Sequence, residues 1–302
     1  MTALRSRLRA WSAPLLLSAF AALGSASCKG GVAGLLISND QEVEIGSGVD
    51  EQLEQEYKIL ADADPVAAWA RALVSEMVPA SEQFRNTDDF GGYKVEVIYD
   101  NSLVNAFAAP GGYIYIVSGL VINAGSCAEV AGVVGHELAH VTQRHSVKKL
   151  AKSSIFSSLA SIILDEGISQ QVVVAAYSVL QNTSHSRRDE SESDKIGAQL
   201  MYESGFNPHA LADMFETLKE QSGGGGGRWL AFLSSHPDPG DRANTIRERI
   251  AKDWPEVQQQ GDETYLFSCD GLGGLNFEEV KQRLRDGSVT VRPGTGVGVP
   301  AQ

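Results

Sequence analysis

The chain has 302 residues, 43% hydrophobic and 21% charged, with 31 glycines and 10 prolines. This composition excludes a disordered, collagen-like or disulfide-dense protein and leaves enough apolar residues for a core. Its 25 Lys and Arg against 38 Asp and Glu give a formal charge of −13, which argues against wrapping nucleic acid, a task that needs a basic surface.

At the amino end, Arg5, Arg7 and Arg9 precede an apolar run from Pro14 to Leu23 and the small residues Gly24-Ser25-Ala26-Ser27. The run is far short of the ~20 residues that span a bilayer, so residues 1–27 read as a secretory signal peptide and the protein is expected to be exported. Its three arginines leave with it and no acid does, which takes the net charge from −13 to −16. Cys28 follows in a setting that resembles a bacterial lipoprotein processing box, apart from Ser25 where that box prefers Leu. Lipidation at Cys28 stands against plain cleavage near Ala26, and residues 28–50, opening with Gly30-Gly31, are expected to be a tether.

From Glu51 to Pro79 the pattern is helical, with Asp64 as a cap, Pro65 at the first helical position and Trp69, Leu73 and Met77 on one stripe. Tyr93 to Tyr99 alternates as a strand. Residues 101–107 and 113–117 read as extended segments around the turn Ala108 to Gly112, and helices dominate after Ser126. The apolar region Ile155 to Leu180 is broken by Asp165-Glu166-Gly167 and Gln170-Gln171, so it predicts two helices and no membrane span. A further helix is expected from Asn207 towards Glu220. The five glycines 223–227 predict a mobile loop without the Lys and Ser/Thr of a phosphate cradle. Asn276 with Glu279 predicts a small capped helix, and the tail from Arg292 is expected to be disordered. Cys127 and Cys269 can pair in an oxidising compartment, but two cysteines permit the bond without implying it. For Cys127, among apolar helical residues, a buried free thiol is the expectation.

The strongest signal is His136-Glu137-Leu138-Ala139-His140. Residues four apart on a helix differ by roughly 40° in direction, so both imidazoles leave one face at a spacing that grips a single ion. Ser126 and Glu129 predict a capping box for this helix, and Val130, Val133, Val134, Leu138 and Val141 its apolar packing. A hydrolytic zinc takes three protein ligands and keeps a position for water. Gln143 and Ser146 stand where a metzincin places its glycine and third histidine, so the third ligand is expected to be a carboxylate from a later helix. Asp165-Glu166 and the run Asp189 to Asp194 compete. The run is preferred because Glu190, Asp194 and Gly197 share one face, giving a ligand, a supporting carboxylate and a close-packing glycine.

The segment Ser186-Arg187-Arg188-Asp189-Glu190-Ser191-Glu192-Ser193-Asp194 resembles the S-R-x-x-E-x-E-A-D segment that follows H-E-x-x-H in the HtpX-like zinc metalloproteases, a family that includes the CaaX prenyl protease and periplasmic quality-control proteases. Ser193 departs from the usual Ala. Asn105-Ala106-Phe107-Ala108, Pro110-Gly111-Gly112-Tyr113-Ile114-Tyr115, His236-Pro237 and Arg242 extend the likeness over residues 51–253. The resemblance implies an α+β fold, a mainly helical zinc metallopeptidase domain of gluzincin type with a small β-sheet over the active-site helix. It implies one zinc per chain on His136, His140 and Glu190, with Glu137 as the base. The chemistry asks for the same: zinc acidifies its water and a neighbouring carboxylate takes the proton. Asp194 would orient a liganding imidazole. In similar periplasmic members the histidine matching His236 approaches the zinc as a self-inhibiting switch, against which stands an ordinary exposed loop histidine. Arg242 would stabilise the oxyanion or pair with the acidic helix. His145, His185 and His209 are expected not to be ligands. Asn105, Ala106, Phe107 and Ala108 are the candidate substrate strand, the alternative being a core strand.

The expected organisation is therefore a signal peptide at 1–27, a tether at 28–50, a metallopeptidase domain at 51–254 and a carboxy-terminal extension at 255–302, too short and non-repetitive for a helical-repeat module. The expected function is a zinc endopeptidase of the bacterial cell envelope that degrades misfolded or stalled outer-membrane proteins. It would be periplasmic, tethered to the outer membrane if Cys28 is lipidated, with unfolded or misassembled proteins as partners. The rival readings are an aminopeptidase, for which a G-x-M-E-N-like segment is lacking, and a non-catalytic, metal-stabilised chaperone or assembly adaptor, against which intact Glu137 speaks.

Overall fold

A computed structural model describes residues 37–153, 168–222, 230–236, 239–257 and 269–297. The expected signal peptide, Cys28, Asp165-Glu166 and the glycine run at 223–227 lie outside them.

Helix α1 spans Asn39–Glu56 behind a capping box in which Ser38 and Gln41 satisfy each other's backbone N–H. Ile45, Val49 and Leu53, four residues apart, are fully buried, so most of the segment expected as tether is a packed helix. Helix α2, Pro65–Ser81, starts as its sequence predicts. Asp64 Oδ1 accepts from the Val66 N–H at 2.8 Å, a cap that contributes about 1 kcal/mol, and Trp69, Leu73 and Met77 are buried.

Three strands follow, β1 Lys94–Ile98, β2 Ala106–Ala109 and β3 Tyr113–Val117, in the order β1-β3-β2. The first pair is parallel, Lys94 opposite Tyr113, and the second antiparallel, Ala106 opposite Ile116. A 3₁₀ turn at Pro110–Gly112 joins β2 to β3, and Gly111 and Gly112 supply its positive φ of 75° and 82°. The extended stretch expected from Asn101 forms a strand only from Ala106, because residues 100–102 are bent by the Asp100 carboxylate accepting from the Ser102 N–H and hydroxyl. Alternation places the sheet between two apolar clusters. Ile98, Tyr115 and Val117 join Ile45, Val49 and Leu53 of α1, while Val97, Ala106, Ala108, Ile114 and Ile116 join the larger core around the helices.

Among the described residues the remaining α-helices are α3 Ser118–Asn123, α4 Cys127–Thr142, α5 His145–Lys152, α6 Gln170–Asn182, α7 Arg187–Glu203, α8 His209–Ser222, α9 Leu230–Ser235, α10 Pro239–Asp253 and α11 Phe277–Asp286. Helix α4 is buried on all sides except at Ala128. Ser126 caps it by accepting from the Glu129 N–H at 3.2 Å, but Glu129 turns its carboxylate to the Gly125 N–H, so only half of the predicted capping box forms. Helix α7 carries a full box between Ser186 and Asp189, and α11 one between Asn276 and Glu279. Among the described residues no helix is long and apolar enough to cross a membrane.

Two expectations for the carboxy-terminal part are corrected. Cys127 is not a free thiol; it forms a disulfide with Cys269, their Cα atoms 6.2 Å apart. Residues 292–297 are not loose either. Arg292 pairs with Glu54, Asp62 and Glu96, and its N–H bonds the Ile59 carbonyl at 2.7 Å, while Val291 bridges to Leu60. Charge pairing and backbone contacts, the Gly296 N–H to the Glu54 carbonyl among them, hold a segment whose glycines alone predict none.

Candidate metal centre

Helices α4 and α7 cross where both present glycine. A Cβ on Gly197 would lie 2.9 Å from the His136 nitrogen, and one on Gly135 3.1 Å from the Gly197 carbonyl oxygen. This close approach sets Glu190, two turns earlier on α7, against the histidine pair of α4. His140 Nε2 lies 3.0 Å from His136 Nε2 and 3.5 Å from Glu190 Oε1, and His136 Nε2 lies 3.5 Å from Glu190 Oε2. His236, at the end of α9, places Nδ1 3.2 Å from His136 Nε2 and 3.1 Å from Glu190 Oε2, with its ring stacked on Phe232. It is buried, not the exposed loop residue of the alternative reading.

These four side chains are all buried, and their donor atoms lie within 4.8 Å of one another. Three imidazole nitrogens and one carboxylate oxygen form a donor set that suits a tetrahedral zinc ion. Glu137 adjoins it: its Oε1 has no hydrogen-bond partner and stands 3.3 Å from His236 Nε2, while the Ala108 N–H of β2 donates to its carboxylate. An orphaned buried carboxylate oxygen beside four converging ligands fits a site built to receive an ion and a water.

Around the donors, Asp194 Oδ1 sits 3.0 Å from His136 Nδ1. Arg242 grips Asp194 through Nε at 2.8 Å and an NH2 at 2.6 Å, reaches Glu190 Oε2 at 2.7 Å and lies over the Phe215 ring. Arg242 is thus ion-paired with the acidic helix.

Charge and burial oppose each other here. Burial pushes Glu190 up, but His236, His136 and His140 hold it well below the usual carboxylate range. Burial disfavours charge on His136, yet Asp194 and Glu190 raise it to about 9. Burial, helped by His185, keeps His140 well below the ordinary imidazole value, and burial raises Glu137. Asp194 is lowered, against its burial, by His136 and Arg242.

The candidate substrate strand lies at the sheet's edge. Asn105 and Phe107 line a cavity of about 410 Å³ with Tyr57, Leu103, Leu180 and Ser235, and Phe107, half-buried, stacks on Tyr115 at 4.9 Å. Ala106 and Ala108 face the core. His209 is not among the side chains whose donor atoms converge, nor in ring contact with them. His145 and His185 do make ring contact: both are buried against His140, with ring centroids 4.9 and 4.0 Å away. The contact of His145 is not legible in the sequence because on a continuous helix His145 would point about 140° from His140. Arg144 breaks the helix in the left-handed region, φ 54°, and returns His145 to His140.

The model of peptidase family M48 matches residues 66–250. The chain is similar to the beta-barrel assembly-enhancing protease of Escherichia coli, 28% identical over 81% of this chain and 51% of that protein. It is similar to the metalloprotease YcaL of the same species, 33% identical over 51% of this chain and 61% of that one. It is also similar to the mitochondrial metalloendopeptidase OMA1 of Arabidopsis thaliana, 31% identical over 54% and 33% of the two chains. The chain spans about half the length of the beta-barrel assembly-enhancing proteases it matches.

Proposed function

The chain belongs to peptidase family M48, and from that premise we propose that it is a zinc-dependent endopeptidase in which His136, His140 and Glu190 hold the metal and Glu137 is the general base. The observation that carries the reading is the buried convergence of these side chains beneath the edge strand β2, with Glu137 bonded to that strand's Ala108 N–H. When bound, zinc supplies Lewis-acid polarisation of the scissile carbonyl and acidifies a water molecule.

The protein's own residues do the rest. Asn105, Ala106, Phe107 and Ala108 lie at the edge of the sheet, on which an extended peptide adds as a further strand, main chain to main chain, once it replaces Glu137 on the Ala108 N–H and the Ser146 hydroxyl on the Ala108 carbonyl. That mode reads backbone and selects weakly among side chains, which suits unfolded or misassembled proteins as substrates. Glu137 takes the proton of the attacking water on a carboxylate oxygen, and its burial favours holding that proton until the leaving amine nitrogen accepts it. Asp194 accepts from His136 Nδ1 and fixes that ring, and Arg242 fixes Asp194 and Glu190. His236 occupies the space between Glu190 and Glu137, where water must enter, and acts as a self-inhibiting fourth ligand that withdraws when substrate binds.

The physiological reading follows from the export signal and the relatives. The protein acts in the periplasm of the bacterial cell envelope on misfolded or stalled outer-membrane proteins, tethered to the outer membrane if Cys28 is acylated. Mass spectrometry of the mature amino terminus tests the tether: an unmodified chain that begins elsewhere removes it. For the activity, Glu137→Gln is expected to retain zinc and fold while lowering casein hydrolysis by about 10²–10⁴-fold. If the wild type and Glu137→Gln are equally inactive even with His236 replaced, the non-catalytic adaptor reading wins.

A further inference from the structure

The two histidines of α4 differ in what stands behind them. His136 turns Nδ1 to a carboxylate, Asp194, whereas His140 turns Nδ1 to another imidazole, with His145 Nδ1 2.9 Å away. A neutral imidazole that offers its Nε2 lone pair to a cation carries its proton on Nδ1. His140 Nδ1–H must then donate, and His145 Nδ1 must accept. That requirement puts the proton of His145 on Nε2. This atom is buried without a hydrogen-bond partner and faces two carboxylate oxygens, Asp189 Oδ1 at 3.7 Å and Glu192 Oε2 at 3.6 Å. Both attract an N–H and repel a lone pair, so they favour the tautomer that His140 needs. Ser193 Oγ, 3.2 Å from His145 Nδ1, completes the ring's surroundings.

We propose that His145 is a positioning residue for the metal centre: it accepts from His140 Nδ1–H, and Asp189 and Glu192 hold His145 in the tautomer that lets it do so. The proposal rests on the reading of His140 as a zinc ligand. His145, Asp189 and Glu192 also form a donor group that can be read as a second cation site. That use needs the Nε2 lone pair and so moves the His145 proton to Nδ1, where two N–H groups would face each other across 2.9 Å. With zinc on His140 the two uses exclude each other, and the geometry favours the first.

The test compares two replacements in the full-length protein. In His145→Asn the side-chain oxygen occupies the position of Nδ1 and still accepts; His145→Leu fills the space without an acceptor. Zinc affinity, measured by competition with a chromophoric chelator, is expected to stay within about threefold of wild type in His145→Asn and to fall about 10–100-fold in His145→Leu. Cobalt-substituted His145→Leu should show a shifted visible spectrum and His145→Asn an unshifted one. Independently of any variant, long-range ¹H–¹⁵N spectra of the zinc-loaded wild type should show protons on His140 Nδ1 and His145 Nε2. Wild-type affinity in His145→Leu, equal losses in both variants, the opposite His145 tautomer, or a second zinc equivalent that His145→Leu removes would each overturn this proposal and leave the zinc reading intact. A wild type that binds no zinc overturns both.

Discussion

At the scale of single residues the centre is a balance between desolvation and pairing. His145 is held near 4 and His185 near 2, each chiefly by burial, and His140 is also lowered. A group whose folded value lies below its unfolded value of about 6.5 binds fewer protons folded than unfolded at acid pH, so stability falls as pH drops below 6.5. His136 is the opposite case. Raised to about 9, it contributes stability that is fully present below 6.5 and lost as pH rises through 9. The urea midpoint of the metal-free protein should therefore decline on both sides of about pH 6.5. Zinc should remove the alkaline decline, because the ion takes the place of the proton on His136. A flat metal-free profile between pH 6.5 and 9 would contradict the assignment.

At the scale of elements, the α4–α7 crossing and the break after α4 do the positioning. Gly197→Ala puts a Cβ 2.9 Å from the His136 backbone nitrogen, which cannot yield as a side chain can. It should cost about 1–3 kcal/mol by overpacking and weaken zinc binding by separating Glu190 from the histidine pair. Urea denaturation and zinc titration check the two effects, and unchanged zinc affinity would sink the link between crossing and site. Much of this was legible in the sequence because it is local. Two histidines four apart, a carboxylate and a glycine seven apart, and caps at Asp64, Ser126 and Asn276 all act within two turns of one helix. What escaped depends on distant partners. The left-handed Arg144 is held by Glu42 at 2.7 Å and the Ile37 carbonyl at 2.8 Å, from the amino end of the described chain, and no window around residue 144 contains them. Buried Glu42 also takes Arg85, so one carboxylate of α1 anchors the turn that returns His145 to His140. A segment read as tether thus belongs to the support of the site.

At the scale of the whole molecule, the amino-terminal helix packs on one face of the sheet, residues 290–292 bond to residues 59–61 beside β1, and the disulfide joins the start of α4 to residue 269. The covalent link encloses 142 residues of separation, so in the chain-entropy account it restricts the unfolded ensemble strongly. Replacing both cysteines by serine should lower stability by about 2–4 kcal/mol, read as a fall in melting temperature that a reductant reproduces in the wild type and not in the variant. Zinc binding should persist, since neither cysteine touches the donors. The placement of this bond also orders events in time. Every proposed ligand, from His136 to His236, lies between its two ends, so a growing chain has synthesised all of the proposed ligands before the partner of Cys127 exists. Covalent closure therefore marks a chain that has passed residue 269: it separates such chains from shorter fragments that carry the same ligands, and counting free thiols on arrested chains of increasing length would reveal where that mark is set.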